Sequence, residues 1–336
     1  MSKFPTFSLL ESPKWIDYAL LDSSDGLKLE RFGPYTFVRP EVQAMWSRSL
    51  PEQDWAQAHA VFQPTSEESG GHWQFQKRVA ERWEMKYALD LTPSPSPERR
   101  GELKFWAMTT PGRHLGVFPE CAAHWDWIAE LILNRGERRD RGEKSKDISA
   151  ASLARRPGRA AHSAVRVLNL FGYTGLATLA AAAAGAQVTH VDASKKAVAW
   201  ARDNQALSGL AEKPVRWIVD DALKFVQREA RRGNMYDGIL LDPPKFGRGP
   251  KGEVWEVYKS LPNLLDSCRQ VLSEHPLFVV ATVYAVKASA IHIGQALQEM
   301  MSQFEGTIES GELVTREQSA GRLLSQAVYA RWESKA

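Results

Sequence analysis

The chain has 336 residues, 43% hydrophobic and 25% charged, which is the composition of an ordinary globular protein with a full core. Its two cysteines, Cys121 and Cys268, exclude a disulfide framework and a cysteine zinc site. The formal net charge of +3 permits a nucleic-acid partner without requiring one. There is no signal-peptide pattern and no apolar run long enough to cross a bilayer, so we expect a cytoplasmic protein without membrane contact.

Residues 1–110 predict a small β-rich N-terminal domain, because short strand-like runs alternate with turn residues. Asp25-Gly26 is typical of a turn, and Gly33-Pro34 joins two runs that predict a hairpin. Two roles fit this domain equally well, a platform for substrate and a packing cap over the rest of the protein. The predicted strands are Tyr18 to Leu21, Leu27 to Phe32, Tyr35 to Arg39, Trp73 to Phe75 and Leu103 to Met108.

Two segments then lead into the remainder of the chain. Residues 111–134 predict a connecting helix that begins near Pro119, since Ala122, Trp125 and Ile128 follow at helical spacing. Residues 135–163 carry nine Lys or Arg, four Asp or Glu and almost no large apolar side chains. A basic arm that contacts phosphates is one interpretation. The interleaved acids and the lack of aromatic residues favour a basic flexible linker.

Residues 164–336 predict an α/β domain, because strand-like apolar runs alternate with helical segments. This alternation is typical of a parallel sheet with helices on both faces. Five strands are predicted at VRVLNL, QVTHVD, VRWIVDD, YDGILLD and PLFVVATVYA, and the last two, GTIESGELVTR and LLSQAVYARW, predict an antiparallel pair. We therefore expect a Rossmann-like sheet of seven strands, mostly parallel, with an antiparallel end.

The loop from Asn169 to Gly175, with the sequence NLFGYTG, follows the first of these strands. In an open parallel sheet, ligands bind outside the carboxyl ends of the strands. A glycine there permits a tight turn and lets a ligand approach the backbone closely. The loop lacks the GxGxxG pattern, which makes a dinucleotide site the weaker interpretation.

Acidic residues end the second and third predicted strands. Asp192 is placed to accept hydrogen bonds from the ribose hydroxyls of a nucleoside, although it could instead cap the helix that starts at Ser194. Asp221, followed by Ala222, is placed to meet an adenine amino group. Asp220 competes with it for this role, and one of the two is expected to be a helix cap.

The fourth predicted strand ends in Asp242-Pro243-Pro244-Lys245. Two consecutive prolines hold a loop rigid and extended, so this loop could position a planar group at the sheet edge. Lys245 would either neutralise a phosphate or lie in solvent, and the sequence favours neither.

Taken together, NLFGYTG, VDAS, ARDNQALSGL, DDALKF and DPPKF resemble class I S-adenosylmethionine (SAM)-dependent methyltransferases. More narrowly, they are similar to the bacterial family that contains the 23S rRNA cytosine-C5 methyltransferases. The resemblance covers roughly Pro111 to Tyr284, including the GVFPE stretch, and implies the class I fold and SAM as cofactor. The implied cofactor-binding residues are Phe118, Pro119, Asn169, Phe171, Gly172, Tyr173, Thr174, Gly175, Asp192, Ala193, Asp221, Ala222 and Asp242.

The resemblance also implies that Asp242, Pro243 and Lys245 form the catalytic loop beside the transferred methyl group. Enzymes of this type methylate carbon C5 by adding a cysteine thiolate to the ring, and the family's cysteine lies at the end of strand five. Here that segment reads Ala281-Thr282-Val283-Tyr284. A ring or exocyclic nitrogen, which needs orientation rather than covalent activation, is therefore the favoured acceptor.

We thus expect a SAM-dependent methyltransferase that acts on a base of RNA, with ribosomal RNA as the expected partner. The alternatives are methylation of a small molecule or protein, and a non-catalytic domain that binds SAM or RNA. The eight histidines show no ligand spacing, so no metal is expected. Nothing in the sequence indicates an oligomeric state.

Overall fold

The computed structural model describes residues 5–65, 70–91, 100–144, 164–284 and 289–335. No helix among these residues is long and apolar enough to span a membrane. The strands before residue 110 are β1 (Thr6–Glu11), β2 (Tyr18–Ser24), β3 (Leu27–Phe32), β4 (Tyr35–Pro40), β5 (Ala60–Pro64), β6 (Gly71–Phe75), β7 (Trp83–Asp90) and β8 (Arg100–Ala107), with one short helix, α1 (Glu52–Ala56).

Helices and strands alternate over most of the remainder of the chain. The helices are α2 (Ala122–Lys144), α3 (Leu176–Ala183), α4 (Lys195–Leu207), α5 (Ala222–Arg231), α6 (Val257–Arg269) and α7 (Ala290–Met300). The strands are β9 (Arg166–Leu170), β10 (Gln187–Asp192), β11 (Val215–Val219), β12 (Gly238–Leu241), β13 (Phe246–Arg248), β14 (Val254–Glu256), β15 (Phe278–Val283), β16 (Gly306–Arg316) and β17 (Leu323–Ser334).

The main sheet has eight strands in the order β1-β16-β17-β15-β12-β9-β10-β11. All neighbouring pairs are parallel except those made by β17, which runs antiparallel to both β15 and β16. The predicted α/β fold with an antiparallel end is confirmed. The strand order reverses beside β9, and such a reversal leaves a crevice for ligands at the carboxyl ends of the strands.

The eighth strand, β1, was not predicted. It pairs in parallel with β16, so the chain's first strand belongs to the main sheet rather than to a separate N-terminal domain. Gly311 permits this pairing, because a Cβ there would lie 1.7 Å from the backbone oxygen of Ser8. Local sequence carries little sign of such a strand, since its partner lies about 300 residues away.

The β-rich N-terminal region is confirmed. Strands β2 to β6 form a five-stranded sheet, and β7 and β8 form a two-stranded ribbon. The hairpin predicted around Gly33-Pro34 is present, with Phe32 opposite Tyr35. Asp25 and Gly26 both have positive φ angles, 50° and 76°, as their turn between β2 and β3 requires.

Strand β8 joins the N-terminal region to helix α4, because its backbone forms hydrogen bonds with side chains at the C-terminal end of this helix. Ser208 Oγ accepts from the Lys104 amide at 3.1 Å and donates to the Lys104 carbonyl at 2.7 Å. The amide of Trp106 donates to Asn204 Oδ1 at 2.8 Å. Because α4 follows the strand that ends in Asp192, this docking supports the packing-cap interpretation of the N-terminal region.

Helix α2 continues to Lys144, ten residues past the predicted start of the linker at residue 135. The connecting helix therefore extends past the predicted boundary at residue 135. The rest of the predicted linker, residues 145–163, lies outside the described residues.

Candidate active site

A narrow cavity of about 70 Å³ lies at the carboxyl ends of β9, β12 and β15. Its lining includes the glycine loop after β9, the first residue after β12 and Thr282 of β15. Helix α2 and the segment before it close the opposite side. Seven of the predicted site residues lie together in this lining: Phe118, Asn169, Phe171, Gly172, Tyr173, Thr174 and Asp242.

The glycine loop has an unusual backbone. Phe171 and Tyr173 have positive φ angles of 58° and 48°, a region that residues other than glycine rarely adopt. Gly175, also left-handed at 85°, precedes the first residue of α3 and lies buried outside the cavity. Strained residues of this kind persist only where surrounding contacts fix them, and they concentrate at functional sites.

A series of buried hydrogen bonds between polar side chains supports the glycine loop on the side of the sheet. Asn169 Nδ2 donates to Thr178 Oγ1 at 2.9 Å, and Thr178 Oγ1 lies 3.0 Å from Nδ1 of His190. A Cβ at Gly172 would lie only 2.4 Å from the His190 ring, so glycine is required there by packing. Asn169 was predicted to bind the cofactor, but its amide nitrogen is engaged in this support.

The segment before α2 docks onto the same loop. Thr174 Oγ1 donates to the Gly116 carbonyl at 2.7 Å, and Asn204 Nδ2 donates to the Thr174 carbonyl at 2.9 Å. Phe118 lies between the rings of Tyr173 and Tyr284, with centroid distances of 5.8 and 4.9 Å. These contacts fix the orientation of the GVFPE stretch over the carboxyl edge of the sheet.

Pro119 does not line the cavity. Its carbonyl accepts a hydrogen bond from Trp15 Nε1 at 2.9 Å, which ties it to the N-terminal region. It begins a short 3-10 helix, Pro119–Cys121, that runs directly into α2. Its predicted role as a helix-start residue is confirmed. Its predicted contact with the cofactor stays a prediction.

Asp192 lies at the end of β10, next to the glycine loop. Its carboxylate accepts from the amide of Tyr173 at 2.9 Å and from the amide of Ser194 at 2.7 Å. The helix cap is Ser194 itself, whose Oγ accepts from the amide of Ala197. Burial raises the pKa of Asp192 despite these two hydrogen bonds. Each oxygen retains lone pairs that could accept further hydrogen bonds.

Two neighbouring carboxylates end β11, and neither lines the cavity. Asp221 caps α5, its Oδ1 accepting from the amide of Lys224 at 2.9 Å. Asp220 forms an ion pair with Arg228 and accepts from the amide of Asp221. Asp221 is therefore the expected helix cap, and a ligand contact by either carboxylate stays a prediction. Ala193, which follows Asp192, and Ala222, which follows Asp221, also lie outside the cavity.

Asp242 is the most unusual acid of the site. The side chain as a whole keeps some exposure, but its Oδ1 is shielded from solvent and has no hydrogen-bond partner among the described residues. Burial, reinforced by the nearby Glu120 carboxylate, raises its pKa to about 8. A buried polar atom left without a partner costs about 1–3 kcal/mol. Such a group is a candidate for contact with a ligand that is not yet bound.

The two prolines after Asp242 form a rigid exit from the sheet. Pro243 is buried and Pro244 exposed, and the carbonyl of Pro244 accepts from Trp255 Nε1 at 2.7 Å. The Trp255 ring lies 4.9 Å from that of Phe171, which connects this loop to the glycine loop. Lys245 lies exposed at the outer end, away from the cavity lining.

Three of the cavity residues that were not predicted as site residues have a polar or ionisable side chain. Cys121 Sγ lies 2.9 Å from the hydroxyl of Tyr284, and burial together with Asp242 raises the pKa of the thiol. His124 is buried with neither ring nitrogen hydrogen-bonded to a described residue, and burial lowers its pKa to about 3. Thr282 of β15 completes the lining. These residues come from distant parts of the sequence, so no local motif could have identified them together.

We expect the Cys121→Ser variant to transfer methyl groups at a rate within about threefold of the unsubstituted protein. The buried thiol has a raised pKa and is not a thiolate at neutral pH, and only the thiolate is a nucleophile. A serine hydroxyl can hydrogen-bond Tyr284 in its place. Cys268→Ser is the matched control, because this second buried cysteine lies outside the cavity. Loss of methyl transfer only in Cys121→Ser would establish a thiol mechanism.

The raised pKa of Asp242 predicts a pH-dependent stability of the ligand-free protein. The folded state holds this proton up to about pH 8, whereas an unfolded aspartate loses it near 3.8. Stability therefore falls by up to about 1.4 kcal/mol per pH unit as pH rises through this window. Asparagine does not titrate, so the Asp242→Asn variant should lose less free energy of unfolding between pH 5 and pH 8 than the unsubstituted protein. Thermal denaturation at both pH values tests this, and equal losses in the two proteins would contradict it.

Comparison with known proteins identifies the family to which this geometry belongs. A SAM-dependent methyltransferase from Agrobacterium tumefaciens, whose crystal structure is known, is 42% identical over all of this chain and 97% of its own, with a TM-score of 0.81. The chain belongs to the SAM-dependent methyltransferases. The family model for these enzymes matches residues 120–278, from the segment before α2 to the start of β15.

More distant proteins share the methyltransferase fold. A methyltransferase complexed with S-adenosylhomocysteine (SAH) is 17% identical with a TM-score of 0.63, and one from Streptococcus mutans is 15% identical with a TM-score of 0.62. Both alignments cover 95% of this methyltransferase chain and 76% of theirs. The Agrobacterium relative and the family model confirm the predicted family and cofactor, class I methyltransferase and SAM.

A third group of relatives matches only part of the chain. The ribosomal RNA large subunit methyltransferase K/L of Shewanella baltica is 42% identical over 110 residues. That segment is 32% of the methyltransferase described here and 15% of the Shewanella protein. The Shewanella oneidensis protein of the same name is 40% identical over a segment of the same length.

Proposed function

We propose that this methyltransferase acts on a base of RNA, with ribosomal RNA as the substrate. The observation that carries the proposal is the unpartnered Oδ1 of Asp242, buried among the described residues where the Asp-Pro-Pro-Lys loop leaves the sheet. Relatives named as ribosomal RNA methyltransferases, although matched over a limited segment, support the choice of RNA. A ribosomal substrate also supports the expected cytoplasmic location.

The residues of this chain fit SAM along the carboxyl edge. Asp192 has lone pairs for the ribose hydroxyls, and Gly172 of the glycine loop lines the cavity. The 70 Å³ cavity is smaller than the about 300 Å³ of a typical ligand pocket. The cofactor would therefore extend beyond the cavity, past Tyr173 toward Asp192 and Asp221. Once bound, its sulfonium would supply an activated methyl group.

Asp242 is proposed to orient the acceptor. As a carboxylate it would accept a hydrogen bond from a base N–H, and as a neutral acid it would donate one to a ring nitrogen or carbonyl. The pKa near 8 makes both forms accessible near neutral pH. The rigid prolines hold this contact in line for displacement: the nitrogen lone pair forms the new N–C bond, and the breaking C–S pair stays on sulfur. A proton on that nitrogen would pass to carboxylate or solvent.

The acceptor is proposed to be a nitrogen. The C5 position of cytosine needs a thiolate beside the ring, and the side chain at the end of β15 that lines the cavity is Thr282. The thiol of Cys121 lies in the lining but is held neutral by burial. Alignment of a lone pair with the donor methyl is sufficient for nitrogen, and positioning alone can lower such a barrier by several kcal/mol.

Radiolabelled methyl transfer tests the proposal. The purified protein and tritiated SAM would be incubated with RNA, protein extract and metabolites from a strain that lacks the gene. We expect label in large-subunit ribosomal RNA, at a nitrogen of one base, and none with the Asp242→Ala variant. Label confined to protein or small molecules would overturn the choice of substrate. SAM binding without any transfer would indicate a non-catalytic domain.

A further inference from the structure

A short hairpin leaves the sheet directly from the Asp-Pro-Pro-Lys loop. Strands β13 and β14 pair antiparallel, with Phe246 opposite Glu256 and Arg248 opposite Val254. The residues of this hairpin do not line the cavity, so its position does not assign it a role in cofactor binding. The hairpin does, however, border the edge at which the acceptor must enter.

The hairpin is fixed in place. Trp255 is buried and bonds to the loop at Pro244, and the amide of Val257 donates to the carbonyl of Lys245 at 3.0 Å. At the other end, Glu253 pairs with Lys224 of α5 at 2.8 Å. The hairpin is therefore anchored to the Asp-Pro-Pro-Lys loop at one end and to α5 at the other.

The outer face carries exposed apolar side chains. Phe246 is 55% exposed, Val254 57%, and Tyr258, at the start of α6, 58%. The large exposed aromatic side chains in the described part of the chain number four, and two of them, Phe246 and Tyr258, lie here. Exposed rings beside a transfer site suit stacking on the faces of nucleobases.

The same face carries positive charge. Arg248 and Lys251 are exposed, and neither side chain forms an ion pair with a carboxylate of a described residue. The contact of Lys251 with the Glu253 carboxylate is made by its backbone amide, at 2.8 Å. The nearby acids are already neutralised, Glu253 by Lys224 and Glu256 by Lys259 at 2.7 Å. Aromatic rings interleaved with cations are the combination that binds single-stranded nucleic acid, since the rings stack on bases and the cations contact phosphates.

We propose that the outer face of the β13–β14 hairpin binds single-stranded RNA next to the methylated base. Phe246 stacks on a neighbouring base, and Arg248 and Lys251 contact the flanking phosphates. The inference rests on the proposed RNA substrate and adds the surface that holds it. A protein partner is less well matched, because the face combines isolated rings with exposed cations rather than a continuous apolar patch.

The test compares a hairpin variant with a matched control. Phe246→Ala combined with Arg248→Ala removes one ring and one cation from the hairpin. Phe75→Ala combined with Arg78→Ala removes the same groups from the N-terminal region, where Phe75 is 53% exposed and Arg78 is also exposed. The measurements are the Kd for labelled fragments of the organism's own ribosomal RNA, the KM for RNA, and the Kd for SAH.

We expect the hairpin variant to raise the Kd and KM for RNA at least tenfold, with unchanged affinity for SAH. The control variant should match the unsubstituted protein. Phe246→Tyr should retain RNA affinity, because stacking needs a ring. Arg248→Ala alone should reduce the slope of log Kd against log salt concentration by about 1, as expected for one lost phosphate contact.

The outcomes separate the two proposals. If the unsubstituted protein methylates RNA and the hairpin variant behaves like the control, the hairpin inference fails and the proposed function stands. If the unsubstituted protein transfers no methyl group to RNA, both fail. A parallel loss of SAH affinity in the hairpin variant would show that the hairpin only supports the glycine loop through Trp255, which also overturns the inference.

Discussion

The Asp242→Ala variant is expected to lose methyl transfer by about 100-fold or more while it retains affinity for SAH, because removing one preorganised polar contact to a transition state has effects of this size. Asp242 Oδ1 is buried without a partner among the described residues, so a bound ligand that hydrogen-bonds to it would offset its desolvation. The measurements are kcat under saturating SAM and the Kd for SAH by calorimetry.

Asp242→Asn is the matched control for the charge. It keeps an oxygen acceptor and the shape of the side chain. If methyl transfer needs only the hydrogen bond, this variant should therefore retain part of the activity. A loss as large as that of Asp242→Ala would assign the effect to the ionised form. Full activity in both variants would remove Asp242 from the transfer step and with it the observation on which the proposed mechanism depends.

The Asp192→Ala variant is expected to bind SAH about 100-fold more weakly. The substitution would leave two ribose hydroxyls without their acceptor, at about 1–3 kcal/mol for each unpaired group. It would also release the amides of Tyr173 and Ser194, which Asp192 now holds at 2.9 and 2.7 Å. Calorimetric titration with SAH gives the Kd, and thermal denaturation checks that the variant folds.

Asp220→Ala is a suitable control for this experiment. Asp220 ends the neighbouring strand and pairs with Arg228, so it matches Asp192 in type and in position along the edge. We expect its Kd for SAH to stay within about threefold of the unsubstituted protein. An equal loss in both variants would point to general damage at the sheet edge, and no loss in Asp192→Ala would exclude ribose binding by this residue.

The sequence predicts the α/β core well because its signals are local. Each strand from β9 to β12 is a short apolar run followed by a helix or a rigid loop, and the residues that end these strands reach the same edge in any parallel sheet. For this reason, residue order alone is enough to place Gly172, Tyr173 and Asp242 at one site. The rigid Pro243-Pro244 exit likewise follows from residue type alone.

The missed features depend on contacts between distant segments. Cys121 and Tyr284 meet across 163 residues, and the partner of β1 is the penultimate strand of the chain. The local bonds of Asp220 and Asp221 also decide a point that the sequence left open, namely that Asp221 is the residue that caps α5. A carboxylate at the end of a strand satisfies either role, and its local partners become visible only in the folded chain.

A crystal structure of the protein with SAH bound tests the central claim most directly. We expect the ribose hydroxyls to contact Asp192 and the sulfur to lie beside Asp242, at the mouth of the cavity behind the Asp-Pro-Pro-Lys loop. SAH bound elsewhere, for example in the apolar groove between α6 and α7 that Leu261 and Ile293 line, would contradict this claim.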